Sequence, residues 1–395
     1  MTATAWARRA GLALIVPAVA VAAGCGSSTG SNEATAGGGS SSNGSVAAAK
    51  AFVGQAIDGA DRPLPTSSPK PQPGKKVWVL SCSQAAEGCQ VPAAGAAEAG
   101  KMIGWKMTVF DGKGDPATYA KGVRSAIAAK ADGIILVSID CAAIKAPLDE
   151  AHKAGINVFG FYGIDCNDPF AGGGKKEFDG QVDYGKKYGS FTEAVENRYA
   201  RLIADYTISK TNGKANIIAI TEDDLVIVHY IWRGYLKWIA RDCPDCKITK
   251  LPIALSDLLQ GKLQGKVQAA LTKNPTANVV FAPYDAAITG GVAAAVQASG
   301  RDKQILLTGG EGLTPDIEMI RKGQGQDFAA GGPPRWAGFA TVDGLNRVFH
   351  GRPTVDEGIG QAVIDKDHNL PTKTSYYDGT SDYESNFKKI WGVGR

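Results

Sequence analysis

The sequence predicts an α/β protein of two doubly wound parallel-sheet lobes joined by a hinge. Three observations predict it. Short apolar runs alternate with helix-length segments whose apolar residues recur every three or four positions. Runs such as Gly133-Ile-Ile-Leu-Val-Ser138 are continuously apolar, as a parallel strand covered on both faces requires. The pattern then restarts after the glycines at 172–174, so two such units fill most of a 395-residue chain.

The elements follow in order. A strand at Val77–Leu80 runs into the polar Ser81-Cys-Ser-Gln84, and an Ala-rich helix covers Val91–Ile103. A strand at Lys106–Phe110 ends at Asp111-Gly112, and Tyr119, Val123 and Ile127 form one helical stripe. After the strand at 133–138 come a helix at Ile144–Ala154 and a strand at Ile156–Phe161. The second unit begins with a long helix from about Lys187 to Ser209. Strands are expected at Ala215–Thr221, Ile248–Leu255, Asn278–Tyr284, Gln304–Thr308 and Asp327–Ala330. Helices separate them at about Val226–Arg241, Leu258–Lys273, Ala286–Ser299 and Pro315–Lys322. Ligands of such sheets bind beyond the carboxyl ends of the strands, so the residues after each strand are the ones to question.

The first 25 residues read as an export signal: Arg8-Arg9, an apolar run from Gly11 to Ala23, then Gly24-Cys25. That run spans about 20 Å as a helix, short of a bilayer core. Ala22-Ala-Gly-Cys25 resembles the bacterial lipoprotein cleavage box, with Cys25 as the lipidated residue. Residues 26–74 read as a flexible tether and Pro-rich spacer: a Gly/Ser tract over 26–45, a short helix at Val46–Ile57, and five prolines within 61–75. The N-terminal lobe is expected over 75–182, completed by about 334–360. The C-terminal lobe is expected over 183–333, and 361–395 is an extension.

Composition narrows the function. The chain has 43 Lys+Arg against 39 Asp+Glu, a formal charge of +4, with no dense basic block, which argues against nucleic acid as a partner. Gly180-Gln-Val-Asp-Tyr-Gly-Lys186 has phosphate-loop spacing, but Lys187 stands where a Ser or Thr is required. The four histidines are scattered, and only His229 lies near an acidic strand end, Glu222-Asp-Asp224. No catalytic residue, metal site or cofactor is expected, and the protein is read as no enzyme.

Six cysteines besides Cys25 suggest disulfides in an exported chain. Cys141 and Cys166 follow neighbouring strands of one sheet, Cys82 and Cys89 share the first loop, and Cys243 and Cys246 close a tight bend. Three local pairs follow: 82–89, 141–166 and 243–246. The rival for the last is a redox C-x-x-C, disfavoured because it follows a helix rather than opening one.

Four segments then carry a resemblance: Asp111-Gly-Lys-Gly-Asp-Pro-Ala with Ala131-Asp-Gly-Ile-Ile-Leu; Ala154-Gly-Ile-Asn-Val-Phe; Asn278-Val-Val-Phe-Ala-Pro-Tyr-Asp; and Leu307-Thr-Gly-Gly-Glu-Gly. In this order, over about 75–350, they resemble the type I periplasmic binding proteins, the ribose/galactose-like solute-binding subunits of ABC importers. The resemblance implies two lobes joined by three hinge strands that close over a small polar ligand. Carried over by position, the ligand groups fall at Ser83, Gln84, Asp165, Tyr284, Asp285 and Glu311, with Arg335 and Trp336 after the return crossing. Glu222 joins them from the acidic strand end. An arginine that usually follows the family's carboxylate is Cys166 here. The expected function is therefore capture of a sugar- or polyol-like ligand by a lipid-anchored monomer on the outer membrane face or in the periplasm. It would work with an ABC permease and ATPase. The alternatives are a same-fold receptor feeding a membrane sensor, a binder of a cationic solute, and an exported thiol-redox protein.

Overall fold

A computed structural model describes residues 40–59 and 61–394; the export signal and Cys25 lie outside the described residues. The chain begins with α1 (Ser40–Asp58), then β1 (Lys76–Ser81), α2 (Glu87–Met102), β2 (Lys106–Asp111), α3 (Pro116–Ala128), β3 (Gly133–Val137), α4 (Lys145–Lys153), β4 (Asn157–Phe161) and β5 (Gly180–Gln181). These strands form a parallel sheet in the order β2-β1-β3-β4-β5, with Val79 opposite Ile135 and Ile135 opposite Phe159. The central β3 is buried at all five positions, and the edge strand β2 is exposed at three of six, which matches the apolar run of the first and the mixed composition of the second.

The second unit opens with α5 (Phe191–Ala194), a π turn over Val195–Tyr199 and α6 (Ala200–Thr211), followed by β6 (Asn216–Glu222), α7 (Val226–Asp242), β7 (Lys247–Ile253), α8 (Leu255–Leu259) and α9 (Leu263–Lys273). It continues with β8 (Val279–Ala282), α10 (Asp285–Ala287), a π turn over Ile288–Val292, α11 (Ala293–Ala298), β9 (Leu306–Gly309), α12 (Thr314–Lys322) and β10 (Ala329–Gly331). Its parallel sheet runs β7-β6-β8-β9. The chain then returns to the N-terminal lobe as α13 (Pro334–Phe349). It crosses back as β11 (Ala362–Ile364), antiparallel to β10, and ends with α14 (Tyr383–Trp391). This is the doubly wound, two-lobed architecture expected.

The Ala-rich character of α2 has a packing cause. A Cβ at Gly95 would sit 2.6 Å from the Arg335 carbonyl oxygen, and one at Gly338 would sit 2.4 Å from that of Pro92. Helices α2 and α13 therefore touch backbone to backbone, and only small residues fit between them.

The segment read as a tether and spacer differs from that expectation. Helix α1 starts at Ser40, inside the Gly/Ser tract, and buries Ala49, Val53 and Ala56 with the core of α6 and α7 in the C-terminal lobe. Arg201 reinforces the contact, lying over the Phe52 and Trp238 rings at 4.0 and 4.3 Å. The prolines that follow do make an extended chain, but it is docked. Prolines lack an N–H, so the segment's carbonyls must find donors elsewhere. They accept from Asn386 to Pro65 (2.9 Å), Asn346 to Pro69 (2.7 Å) and the Trp105 indole to Gln72 (3.0 Å).

The lobes are also joined more often than the resemblance implies. Three connections correspond to hinge strands, near 182–191, 331–333 and 359–362. Two more exist: one around Asp61–Arg62, where the chain leaves α1 for the N-terminal lobe, and one between Tyr377 and Tyr383. The extra pair comes from segments that flank the repeated units, where no periodicity announces a crossing.

Candidate functional site

The carboxyl ends of the strands of both lobes meet along two rims. On one, the Glu87 carboxylate at the start of α2 accepts from the Thr314 N–H (2.9 Å) and hydroxyl at the start of α12. On the other, the Tyr230 hydroxyl of α7 donates to Asp168 (2.7 Å), and the Phe170 ring lies 4.3 Å from His229 with Arg233 over it at 5.1 Å. Each contact joins one lobe to the other, so the lobes are closed on each other in this arrangement.

On the C-terminal face, Glu222 ends β6 and is 1% exposed. One of its carboxylate oxygens accepts from the Tyr284 hydroxyl at 2.7 Å, while the other, Oε1, is buried without a partner. Burial, and then the nearby Asp224 and Asp223 charges, push the Glu222 carboxyl up, against the Tyr284 hydrogen bond. The Trp232 indole donates to the Glu222 carbonyl (3.0 Å) and to Asp223 (3.2 Å), which also lies 2.7 Å from His229 Nδ1. His229 Nε2 is buried and unpartnered. Glu311, on the loop after β9, is pushed up to about 8 by burial and by the Asp285 charge.

On the N-terminal face, Gln84 donates its N–H to Asp111 (2.9 Å) and leaves its side-chain Nε2 buried and unpartnered. The Ser83 hydroxyl accepts from the Ala85 N–H (3.2 Å), closing the turn at the loop tip. Asp140, after β3, accepts from the Ile164 N–H (2.8 Å), and burial raises it to about 6. Tyr162, directly after β4, is held at φ 55°, a left-handed conformation costly for a non-glycine residue, and feels the Glu311 charge of the other lobe.

Four expected ligand groups have other work. Asp165 is 5% exposed and accepts from the N–H groups of Cys166 (2.7 Å), Glu177 (2.8 Å) and Phe178 (3.2 Å), so it folds its own loop. Asp285 accepts from the N–H groups of Glu311 and Leu313 (3.0 Å) and shapes the turn after β9, with its carboxyl held well up by burial and by Asp316. Arg335 does not reach the strand ends: it binds Glu98 at 2.6 and 3.0 Å, Glu384 at 3.0 Å and the Tyr383 hydroxyl at 2.6 Å. Trp336 is fully buried and stacked on Tyr383, 5.2 Å between centroids and 7° between planes. Both residues open α13, whose first turn faces α2 and α14 rather than the strand ends.

Tyr162, Asp140, Asp168 and His229 were not among the expected ligand groups. Tyr162, Asp140 and Asp168 lie on the loops after β4 and β3, where the strand-end rule points. The position of His229 under Phe170 needs the other lobe to be seen.

The three disulfides are present as expected, 82–89, 141–166 and 243–246. The last caps the end of α7, with Cys243 4% exposed. A cavity of about 600 Å³ lies along the β5 edge, lined by Asp165 and Asp168 of the loop after β4 with Lys176, Gln181, Ser190 and Arg352 among others. None of the Glu222, Tyr284 or Glu311 side chains lines it.

Residues 78–353 match the family model described as a periplasmic binding protein domain. The chain belongs to that family. Its relatives of known structure are distant in sequence and share the fold. An ABC transporter solute binding protein from Agrobacterium vitis with bound allitol aligns at TM-score 0.59 and 15% identity, over 74% of this chain and 96% of that one. One from Actinobacillus succinogenes with bound D-allose aligns at 0.61 and 21%, over 75% and 98%. One from Mycobacterium smegmatis with bound glycerol aligns at 0.60 and 18%, over 77% and 99%. No curated protein sequence matches the chain. The family is a solute-binding one and extracytoplasmic, and no described helix of this chain is long and apolar enough to cross a membrane.

Proposed function

We propose that this protein is the solute-binding subunit of an ABC importer, and that it captures a small polyhydroxylated ligand between its lobes for delivery to a permease. The observation that carries the reading is the strand-end face itself. Buried hydrogen-bonding atoms without partners, on Gln84 after β1, Glu222 at the end of β6 and His229 in the first turn of α7, come from both lobes, which meet at two rims. Unpartnered buried polar atoms are costly, and a ligand rich in hydroxyls supplies partners. Contacts from both lobes exist together only in the closed arrangement, so ligand binding shifts an open–closed equilibrium. Allitol, D-allose and glycerol in the related structures support the polyhydroxylated class. Lipidation at Cys25 would hold the protein at the outer face of the membrane, and Cys25→Ser would release it to the soluble fraction.

Thermal unfolding of the ligand-stripped protein against sugars, polyols and their amino derivatives tests the reading. A ligand at about 100 times its dissociation constant adds roughly 2.7 kcal/mol and raises Tm visibly. Silence across the panel would sink it.

A further inference from the structure

The chain carries a net positive charge, yet the strand-end face does not. The loop after β6 presents Glu222, Asp223 and Asp224, with no Lys or Arg at the strand ends 222–225, 283–286 and 309–313. The facing loops after β3 and β4 add Asp140 and Asp168, again with no basic residue in 138–141 or 162–168. A cleft lined by one sign of charge focuses its field and concentrates the opposite charge.

A second, independent observation concerns what is left unpaired. Glu222 is almost completely buried and one carboxylate oxygen has no donor. His229 Nδ1 faces the Asp223 carboxylate, which assigns its hydrogen to that nitrogen and leaves the buried Nε2 as an acceptor in the neutral ring. Both open positions ask for a donor. A sugar hydroxyl both donates and accepts, whereas an ammonium only donates and brings the charge that the loops lack. A bare metal ion fits poorly, since among the described residues no three His, Cys, Asp or Glu side chains converge on one point.

We infer that the ligand is a hydroxylated amine, such as an amino sugar or aminocyclitol, whose ammonium group is held by Glu222 while His229 accepts a neighbouring donor. This rests on the solute-binding reading above and names its ligand class. The raised Glu222 carboxyl fits it, because a bound cation relieves the Asp224 and Asp223 repulsion that, after burial, helps to raise it.

The test pairs ligands that differ in charge on one ring: glucosamine against glucose and N-acetylglucosamine, and 2-deoxystreptamine against myo-inositol, titrated by calorimetry at two salt concentrations. The expected result is at least tenfold tighter binding of one amine than of its neutral partner, weakening as salt rises. That preference should disappear in Glu222→Gln and shrink in Asp223→Asn, with the melting temperature of each variant confirming that it is folded. Equal or tighter binding of a neutral sugar or polyol would overturn the inference while leaving the solute-binding reading intact. Binding of spermidine alone would overturn the hydroxylated half of the assignment. Failure of every compound to bind would overturn the inference and the broader reading together.

Discussion

The hinge and the C-terminal strand-end face both hold charged and aromatic side chains, and they differ in how closely those side chains are tied to one another. At the hinge, particular oxygens are met several times over. One Asp61 oxygen accepts from the N–H and hydroxyl groups of both Thr380 and Ser381 at 2.8–3.0 Å. Arg62 grips Asp356 at 2.6 and 2.8 Å and the Ile359 carbonyl at 2.5 Å, and Arg198 donates to that same carbonyl at 2.8 Å. Trp336 lies at the centre: a Cβ at Gly358 or Gly379, one beside each of two crossings, would come within 3.2 Å of its ring. The strand-end face holds Glu222 and His229 with acceptors open. Asp61 Oδ1 and Trp336 Nε1 at the hinge also lack partners, so an open atom alone does not mark a ligand; what sets Glu222 and His229 apart is their place where the strand ends of the two lobes meet.

Substitutions divide along the same line. The largest effect belongs to Trp336→Ala, which opens a cavity where crossings converge and should cost about 3–5 kcal/mol in denaturant unfolding. Ligand binding measured well below the lowered Tm should persist. A folded Trp336→Ala protein that no longer binds would return this tryptophan to the ligand. Next comes Cys141→Ser with Cys166→Ser, which removes a link spanning 25 residues between the loops after β3 and β4. Loop entropy puts the loss at roughly 3 kcal/mol, and because Asp140, Tyr162 and Asp168 ride on these loops, ligand affinity should fall as well. Asp61→Ala should cost about 1–2 kcal/mol, its four partners being partly solvated. Spin labels placed on the two lobes should show a broader distance distribution without the clasp, and an unchanged distribution would show the two extra crossings to be bystanders.

The physical reason for this division also explains what was legible in the sequence. Strands such as Gly133–Val137 announce themselves because burial on both faces leaves no polar position. The Cys141–Cys166 pair followed from strand adjacency, a property of topology that the repeated pattern exposes, and the other two from sharing one loop or one bend. Glu222 and Tyr284 were within reach because the ends of parallel strands are where ligands bind, and their 2.7 Å bond joins two such ends. Arg335 and Trp336 were not, because their partners Glu384, Tyr383 and Gly379 lie in an extension whose sequence has no periodic signal tying it to the hinge. The docked prolines failed for the same reason: composition describes an isolated segment, while Asn346, Asn386 and Trp105 come from distant parts of the chain.

The smallest stability effect, and the one of opposite sign, belongs to Glu222→Gln. Its carboxyl is raised by burial, so the folded protein holds this proton more tightly than the unfolded chain does. That contribution is complete below the ordinary carboxylate value near 4.3 and is lost as pH rises through the raised value. Glutamine keeps the shape without a titrating group, so the variant should match the parent near pH 4. It should then gain on the parent as pH rises towards 8, by up to about 1 kcal/mol. Urea titrations at four pH values would read this directly. A variant that is less stable at every pH would mean that Glu222 belongs with Asp61 and Arg62 among the groups that hold the fold. A variant that is stabler and unable to bind would place its carboxylate where a ligand, rather than the protein, completes it.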